Sequence, residues 1–404
     1  MVKEGLESFK GKQVLLLQGS VGPFFKNLAL DLQHIGATVH KINFNGGDWF
    51  FSSKNAINFR GPFEEWPQFF TDFIEKHRIE IILLFGDCRK YHRIAHTIAN
   101  TKGIDIGVFE EGYVRPDYIT FEKFGVNGHS QIPRASAFYR SLSEDEFFIP
   151  ETTPIGSSFG YATWWAILYY FYSALLYPLF RHYSHHRPLN LFEGLYWIRS
   201  MWRKEWYRYK EAGIENNLIV TCKKQYFLVP LQISTDAQIV DHSDFASVEH
   251  FLEKVIGSFA SHAPKETLLV IKHHPLDRGY NDYSTFIHTL ANHHDITTRV
   301  HYIHDQHLPT LLERARGAVM INSTVGLSAI YHNCPLKVCG TAIYDLEGLT
   351  YQGTLEQFWD ESKMHECDRD LYNKFRGYVV NHKQINGNFY CKLKTSKLKS
   401  GVLW

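Results

Sequence analysis

The chain has 404 residues, 44% hydrophobic and 21% charged, which excludes a disordered protein and gives enough length for two cores rather than one. A net charge of +1 leaves no whole-molecule electrostatic case for nucleic acid, so no nucleic-acid partner is expected. The six cysteines form no CxxC pair, which argues against a zinc site or a disulfide framework.

Cys222, Cys334 and Cys339 sit in or beside apolar runs, as reduced thiols do. Met1 to Gly5 carries no apolar signal region, so the expected compartment is a reducing cytoplasm. From Val14 the chain alternates strand and helix. Val14 to Leu17 predicts a strand, Phe24 to Ile35 a helix closed by Gly36, and Thr38 to Phe44 a second strand. Phe69 to Ile74 lies in a helix, Ile79 to Phe85 is a strand, Ile94 to Ala99 a helix, and Ile106 to Phe109 a strand. Strands apolar throughout and separated by helices predict a parallel sheet covered on both faces.

A second series starts near Tyr226. Strands are predicted at Phe227 to Val229, Leu268 to Ile271, Arg299 to Ile303, Ala318 to Ile321 and Leu336 to Val338. Helices intervene at Val248 to Phe259, Thr285 to Ala291, Leu308 to Ala315 and Val325 to Tyr331. The fold class is therefore α/β, with two Rossmann-like blocks. Residues 1–150 form the first, 151–215 an aromatic and basic helical insertion, 216–350 the second block, and 351–404 a helical segment with a basic tail.

The insertion holds the uncharged run Thr163 to Phe180, rich in Trp and Tyr, at the short limit for a spanning helix. Behind it, Leu195, Ile198, Trp202, Trp206 and Tyr209 share one helical face, with Arg199, Arg203, Lys204, Arg208 and Lys210 largely elsewhere. A basic, Trp-rich amphipathic helix fits a membrane surface; the alternative is an insertion packed on its own domain. The run Lys392 to Lys399 reads as a solvated basic tail.

Ligands of such sheets bind beyond the carboxyl ends of the strands, which singles out four motifs. Glu110-Glu111-Gly112 follows one strand, and one of the two carboxylates is a candidate general acid or base against the alternative of a solvated loop. Lys272-His273-His274-Pro275 follows another, where His274, held extended before Pro275, can donate to a phosphate; the alternative is a structural histidine. Asn322-Ser323-Thr324-Val325-Gly326 opens a helix, suited both to capping and to an anion. Pro230-Leu231-Gln232 leads to Asp236 at the mouth of the same cleft, although a lone Asp in a loop is more often an Asx-turn residue. Gly19-Ser20-Val21-Gly22 is a turn with room for an acceptor and is neither a dinucleotide fingerprint nor a Walker loop.

Together, Glu110-Glu111-Gly112, His274-Pro275 and Ser323-Thr324 resemble the motifs of bacterial transferases that use CMP-activated sialic acid or Kdo. With Pro230-Leu231-Gln232, Asp236 and Tyr344-Asp345 added, the chain resembles the capsule polysaccharide biosynthesis proteins, from about Val14 to Asp345. The resemblance implies a GT-B-like architecture, two Rossmann-like domains with an interdomain cleft, and a β-Kdo transferase. It implies Asp236 as nucleophile and Glu111 or Glu110 as acid/base. It implies His274, Pro275, Ser323, Thr324, Lys272 and Gln232 around CMP, with Gly19, Ser20 and Gly22 toward the acceptor. It further implies CMP-Kdo as donor, no cofactor or metal, and (lyso)phosphatidylglycerol as acceptor. The implied location is peripheral on the cytoplasmic face of the inner membrane, beside other capsule assembly proteins. Extension of a saccharide by Kdo or sialic acid, or a non-catalytic export adaptor, are the alternatives.

Overall fold

A computed structural model describes residues 5–53, 56–183, 193–235 and 237–404. Its strands, in chain order, are β1 (Gln13–Leu16), β2 (Thr38–Asn43), β3 (Ala56–Asn58), β4 (Ile81–Phe85), β5 (Asp105–Glu111), β6 (Tyr118–Lys123), β7 (Tyr226–Pro230), β8 (Leu268–Lys272), β9 (Val300–Ile303), β10 (Gly317–Met320), β11 (Leu336–Val338) and β12 (Gln384–Asn386). The chain divides into two units: Met1–Ile132, Ser143–Leu191 and Arg376–Trp404 form the first, Pro133–Leu142 and Phe192–Phe375 the second.

Unit 1 is built on a seven-stranded sheet of order β12-β6-β5-β4-β1-β2-β3. Residue alternation explains why β4, and β1 from Val14 on, are apolar on both faces. Val14, Leu16, Ile81 and Leu83 face Phe24, Phe25 and Leu28 of α1 (Phe24–His34). Leu15, Leu17, Ile82 and Leu84 face the other way, onto Trp66, Phe70 and Phe73 of a helix α2 (Trp66–Lys76) and Ala95 of α3 (Lys90–Thr101). Gly36, at φ 95°, closes α1 in a conformation that favours glycine.

The expectation of a purely parallel sheet fails at β6 and β12. β5 pairs antiparallel with β6, and β6 antiparallel with β12. No crossover helix separates β5 from β6; the chain turns directly at Gly112, where a Cβ would stand 2.0 Å from the carbonyl oxygen of Tyr118. The buried Glu122 in β6 holds this edge, accepting from Tyr113 Oη and Ser130 Oγ at 2.7 Å each and pairing with Lys383 at 3.4 Å. Burial raises its carboxyl above the usual range.

Residues 351–404 do not form one appendage. Residues up to Phe375 belong to unit 2, and Arg376 onward to unit 1, whose sheet they extend with β12. The basic tail is tied down by its backbone: the amides of Lys399 and Ser400 each donate to the Asp31 carboxylate at 2.7 Å, while the lysine side chains stay exposed.

The expected insertion is also not one module. Its first helix, α4 (Phe159–Leu175), belongs to unit 1, and its second, α5 (Glu193–Lys210), to unit 2. On α4 the inward residues are polar-tipped. Tyr169 Oη donates to Asp48 Oδ1 at 2.9 Å, and Ser173 Oγ accepts from the Gly47 amide at 3.1 Å. Phe159, Trp164, Phe171 and Leu175 point outward and are exposed. On α5 the buried residues are Arg203 and Tyr207, while Leu195, Ile198, Met201, Trp202, Trp206 and Tyr209 are exposed. Arg203 thus leaves the basic face expected of it: its guanidinium donates to the carbonyls of Arg278 at 2.8 Å and Asn281 at 3.0 Å. Among the described residues, no helix is long and apolar enough to cross a membrane.

Unit 2 carries a five-stranded, wholly parallel sheet of order β11-β10-β7-β8-β9. Phe227, Val229, Leu269 and Ile271 pack with Phe251, Val255 and Phe259 of α6 (Val248–His262) and with Ile287 of α7 (Ser284–His293). β10 leads into a helix α8 (Val325–Tyr331).

Candidate active site

In each sheet the strand order reverses beside its first strand, at β1/β4 in unit 1 and at β7/β10 in unit 2. Loops leaving the carboxyl ends of such neighbours diverge to opposite faces and leave a crevice. Of the predicted residues within the described chain, Gly19, Ser20, Gly22, Gln232, Ser323 and Thr324 follow the strands of these two reversals, and the Glu110-Glu111 and Lys272–Pro275 groups lie at the ends of the adjacent β5 and β8.

In unit 1, Glu110 and Glu111 are the last residues of β5 rather than the loop after it, paired with Thr120 and Ile119 of β6. Strand alternation sends the two carboxylates apart. Glu111 accepts from Tyr390 Oη at 2.7 Å. Glu110 accepts from the Glu111 amide at 2.9 Å, and its carboxyl is pushed up to about 7. Desolvation is the main cause; the charges of Glu111 and Asp87 add to it, and Arg89 opposes them. A carboxylate in that range exchanges protons at neutral pH, as a general base must.

The Gly19-Ser20-Val21-Gly22 turn follows β1. Its glycines answer to packing rather than to an approaching acceptor. A Cβ on Gly19 would lie 2.5 Å from the Phe25 ring, and one on Gly22, at φ 104°, would lie 3.1 Å from Trp165. Ser20 is buried, and its Oγ has no hydrogen-bond partner among the described residues.

In unit 2, Gln232 after β7 and Asn322 after β10 pair across the reversal, Gln232 Nε2 donating to Asn322 Oδ1 at 3.1 Å. Asn322 Nδ2 donates in turn to the carbonyls of Gln238 at 2.8 Å and His242 at 3.1 Å. Ser323 Oγ accepts from the Val325 amide at 3.2 Å, so capping is part of its role; the Thr324 side chain makes no cap. Tyr344 Oη donates to the Ser323 carbonyl, and its ring lies where a side chain on Gly326 would be, at 2.2 Å.

The two histidines after β8 separate as extended neighbours do. His273 is buried against Tyr302 Oη at 2.6 Å, and burial drives its imidazole down to about 3, so it is neutral. His274 is half-buried, and its Nδ1 accepts from the Leu276 amide at 3.2 Å, which leaves the ring proton of the neutral form on Nε2. Lys272 turns inward: its ammonium donates to the His304 carbonyl at 2.6 Å, and burial lowers it to about 8. Pro275 is exposed, and Asp236 lies outside the described residues.

Sequence reasoning missed three features. Arg89, in the loop after β4, donates to the Gly19 carbonyl at 3.2 Å; the strand-end rule that found Glu110 would have found it too. Buried Asp277 accepts from Ser234 Oγ at 3.1 Å and from Asn281 Nδ2 at 3.1 Å, holding the loop that leads to Asp236. A cavity of about 530 Å³ opens along β11 between Lys254, Lys337, Thr354 and Glu356, away from His274 and Ser323.

Comparison with known proteins adds the following. A family model described as "Capsule polysaccharide biosynthesis protein" matches residues 80–390. The Capsule polysaccharide export protein KpsS of Escherichia coli is 39% identical, over 94% of this chain and 97% of its own. The Capsule polysaccharide modification protein LipB of Neisseria meningitidis serogroup B is 40% identical, over 100% of this chain and 99% of its own. Among solved structures, Thermosulfurimonas dismutans KpsC, a beta Kdo 2,7 transferase, aligns with a TM-score of 0.45 at 13% identity, covering 93% of this chain and 92% of its own.

Proposed function

The chain belongs to the capsule polysaccharide biosynthesis protein family, and from that premise we propose that it is a glycosyltransferase moving Kdo from CMP-Kdo to a glycerophospholipid, (lyso)phosphatidylglycerol, to start the poly-Kdo linker of a capsular polysaccharide. The observation that carries the reading is Glu110, a carboxyl brought to about 7 at the end of β5, the strand next to the reversal of unit 1. Transfer to a lipid hydroxyl needs a base of that strength.

In this reading unit 2 binds the donor. His274 donates from Nε2 to the CMP phosphate, and Ser323 and Thr324 donate their hydroxyls to it. Gln232 and Asn322 keep the two loops in register. Asp236 attacks the anomeric carbon, the bond to the CMP phosphate breaks, and a covalent Kdo-enzyme ester forms. Glu110 then takes the proton of the acceptor hydroxyl, whose oxygen attacks the same carbon and releases Asp236. Two displacements give net retention. Phosphate is a good leaving group, so this route requires no metal or cofactor. The exposed aromatic rows of α4 and α5, with Arg199, Lys204 and Arg208 exposed on α5, support a peripheral seat on an anionic bilayer, at the cytoplasmic face of the inner membrane.

A second reading, a non-catalytic adaptor, takes its support from the word "export" in the name of the E. coli relative. CMP release separates the two. With CMP-Kdo, adding lysophosphatidylglycerol should accelerate release and raise the lipid mass by one Kdo residue. Release that ignores the lipid overturns the transferase reading, and transfer only to an oligosaccharide moves the acceptor to a saccharide.

A further inference from the structure

The proposed acceptor carries a phosphodiester close to the hydroxyl that would attack, and this inference rests on that reading. A negative charge entering the unit 1 crevice next to Glu110 needs a cation there. Arg89 is placed to supply it. It stands after the Gly86 turn, at φ 68°, at the start of α3. Its guanidinium donates to the Gly19 carbonyl at 3.2 Å and lies over the Phe85 ring, 5.1 Å from the centroid. Among the described residues it makes no ion pair and no other side-chain hydrogen bond. A guanidinium has five N–H donors, so most of its capacity is unused.

Two further observations point to a ligand. Gly86 leaves open the space between the base and the cation: a Cβ there would be 3.5 Å from Glu110 Oε2 and 3.9 Å from Arg89 Nε. Ser20, next to the Gly19 carbonyl that fixes Arg89, is 6% exposed and has an Oγ without a partner among the described residues. A fork of N–H donors and a carboxylate border the space that Gly86 leaves open, and an unsatisfied hydroxyl follows the Gly19 carbonyl that fixes the fork; together they suit a phosphodiester whose neighbouring hydroxyl meets the base.

We propose that Arg89, assisted by Ser20 Oγ, binds the phosphodiester of the acceptor and so selects an anionic lipid headgroup over a neutral glycerol. Arg89 also bears on Glu110 through its charge. Glu110 is faced by Glu111 and Asp87, which raise it, and by Arg89, which lowers it. Removing Arg89 therefore moves Glu110 upward.

The test uses the full chain with CMP-Kdo and two acceptors, lysophosphatidylglycerol and the neutral monoacylglycerol. The unchanged enzyme should prefer the phospholipid through KM, and Arg89→Gln should reduce that preference at least tenfold, with Ser20→Ala reducing it less. Arg89→Lys should restore part of it, and the acidic limb of the pH profile should move to higher pH in Arg89→Gln. A preference unchanged in Arg89→Gln, or an equal loss on both acceptors with an unmoved pH profile, overturns the proposal. Calorimetric binding of glycerol 1-phosphate keeps this separate from the donor reading. Binding lost in Arg89→Gln supports the anion site even if CMP-Kdo is not the donor, and binding equal to the unchanged enzyme, or absent from both, overturns it.

Discussion

Glu110 makes the sharpest statement at the scale of single residues. Its carboxyl titrates near 7 because burial penalises the charged form. As a base it works only when ionised, so the transfer rate should fall as pH drops through about 7. Glu110→Gln should lower kcat by about 10²- to 10⁴-fold, the usual worth of a positioned base, with CMP affinity by calorimetry unchanged. Linkage gives an independent check. A raised folded-state value means that folding takes up a proton between the ordinary glutamate range and about 7. The group's stabilising contribution is complete below that window and lost as pH rises through it. Glu110→Gln should therefore melt higher than the unchanged protein at pH 8, by on the order of 1–3 kcal/mol, and the gap should close toward pH 4. A constant gap would mean that Glu110 does not titrate there. His274 is tested by CMP itself: His274→Ala should weaken CMP binding about tenfold or more, since a charged hydrogen bond is worth roughly 1.5–3 kcal/mol. Unchanged affinity would remove His274 from the donor site.

At the scale of elements, α5 has two faces that need different tests. Its inner face clamps the segment after the His-Pro pair. Arg203 donates to the Arg278 and Asn281 carbonyls, Arg278 Nε donates back to the Ser200 carbonyl at 3.0 Å, and Tyr207 stacks on His304 with ring centroids 3.4 Å apart. Arg203→Ala should destabilise the protein by roughly 1–3 kcal/mol, because it leaves buried carbonyls without donors. The outer face should behave otherwise. Reversing Arg199, Lys204 and Arg208 to Glu should leave the melting temperature nearly unchanged and reduce sedimentation with anionic vesicles. Undiminished vesicle binding would make α5 a packed insertion only. This division shows what the sequence could and could not reveal. Long apolar strands and 3.6-residue helices were legible, down to Val325–Tyr331 and Leu336–Val338. Arg203 was not, because a helical wheel sorts residues by polarity, and here the polar residue faces inward. β6 and β12 were missed because they pair antiparallel, so β6 follows β5 without a crossover helix and β12 comes from the far end of the chain.

In the molecule as a whole, the proposed transfer gives one half-reaction to each unit. The strand reversal of unit 2 carries Gln232, Asn322 and Ser323, with His274 after the adjacent β8. That of unit 1 carries Arg89 after β4, with Glu110 at the end of the adjacent β5. Four short motifs in chain order made most of this visible. Asp277 stayed hidden because its partner Ser234 is distant in sequence; Arg89 was passed over although it follows a strand end; Ser20 was singled out with its turn, but the missing partner of its Oγ among the described residues was not legible. The central claim is a two-step transfer with retention through Asp236. Its most direct measurement is the anomeric configuration of the first lipid-linked Kdo by NMR, made from CMP-Kdo and lysophosphatidylglycerol. The expected result is a β-linked product from the unchanged enzyme and none from Asp236→Asn, which should still bind CMP. An α-linked product, or full activity in Asp236→Asn, would contradict it.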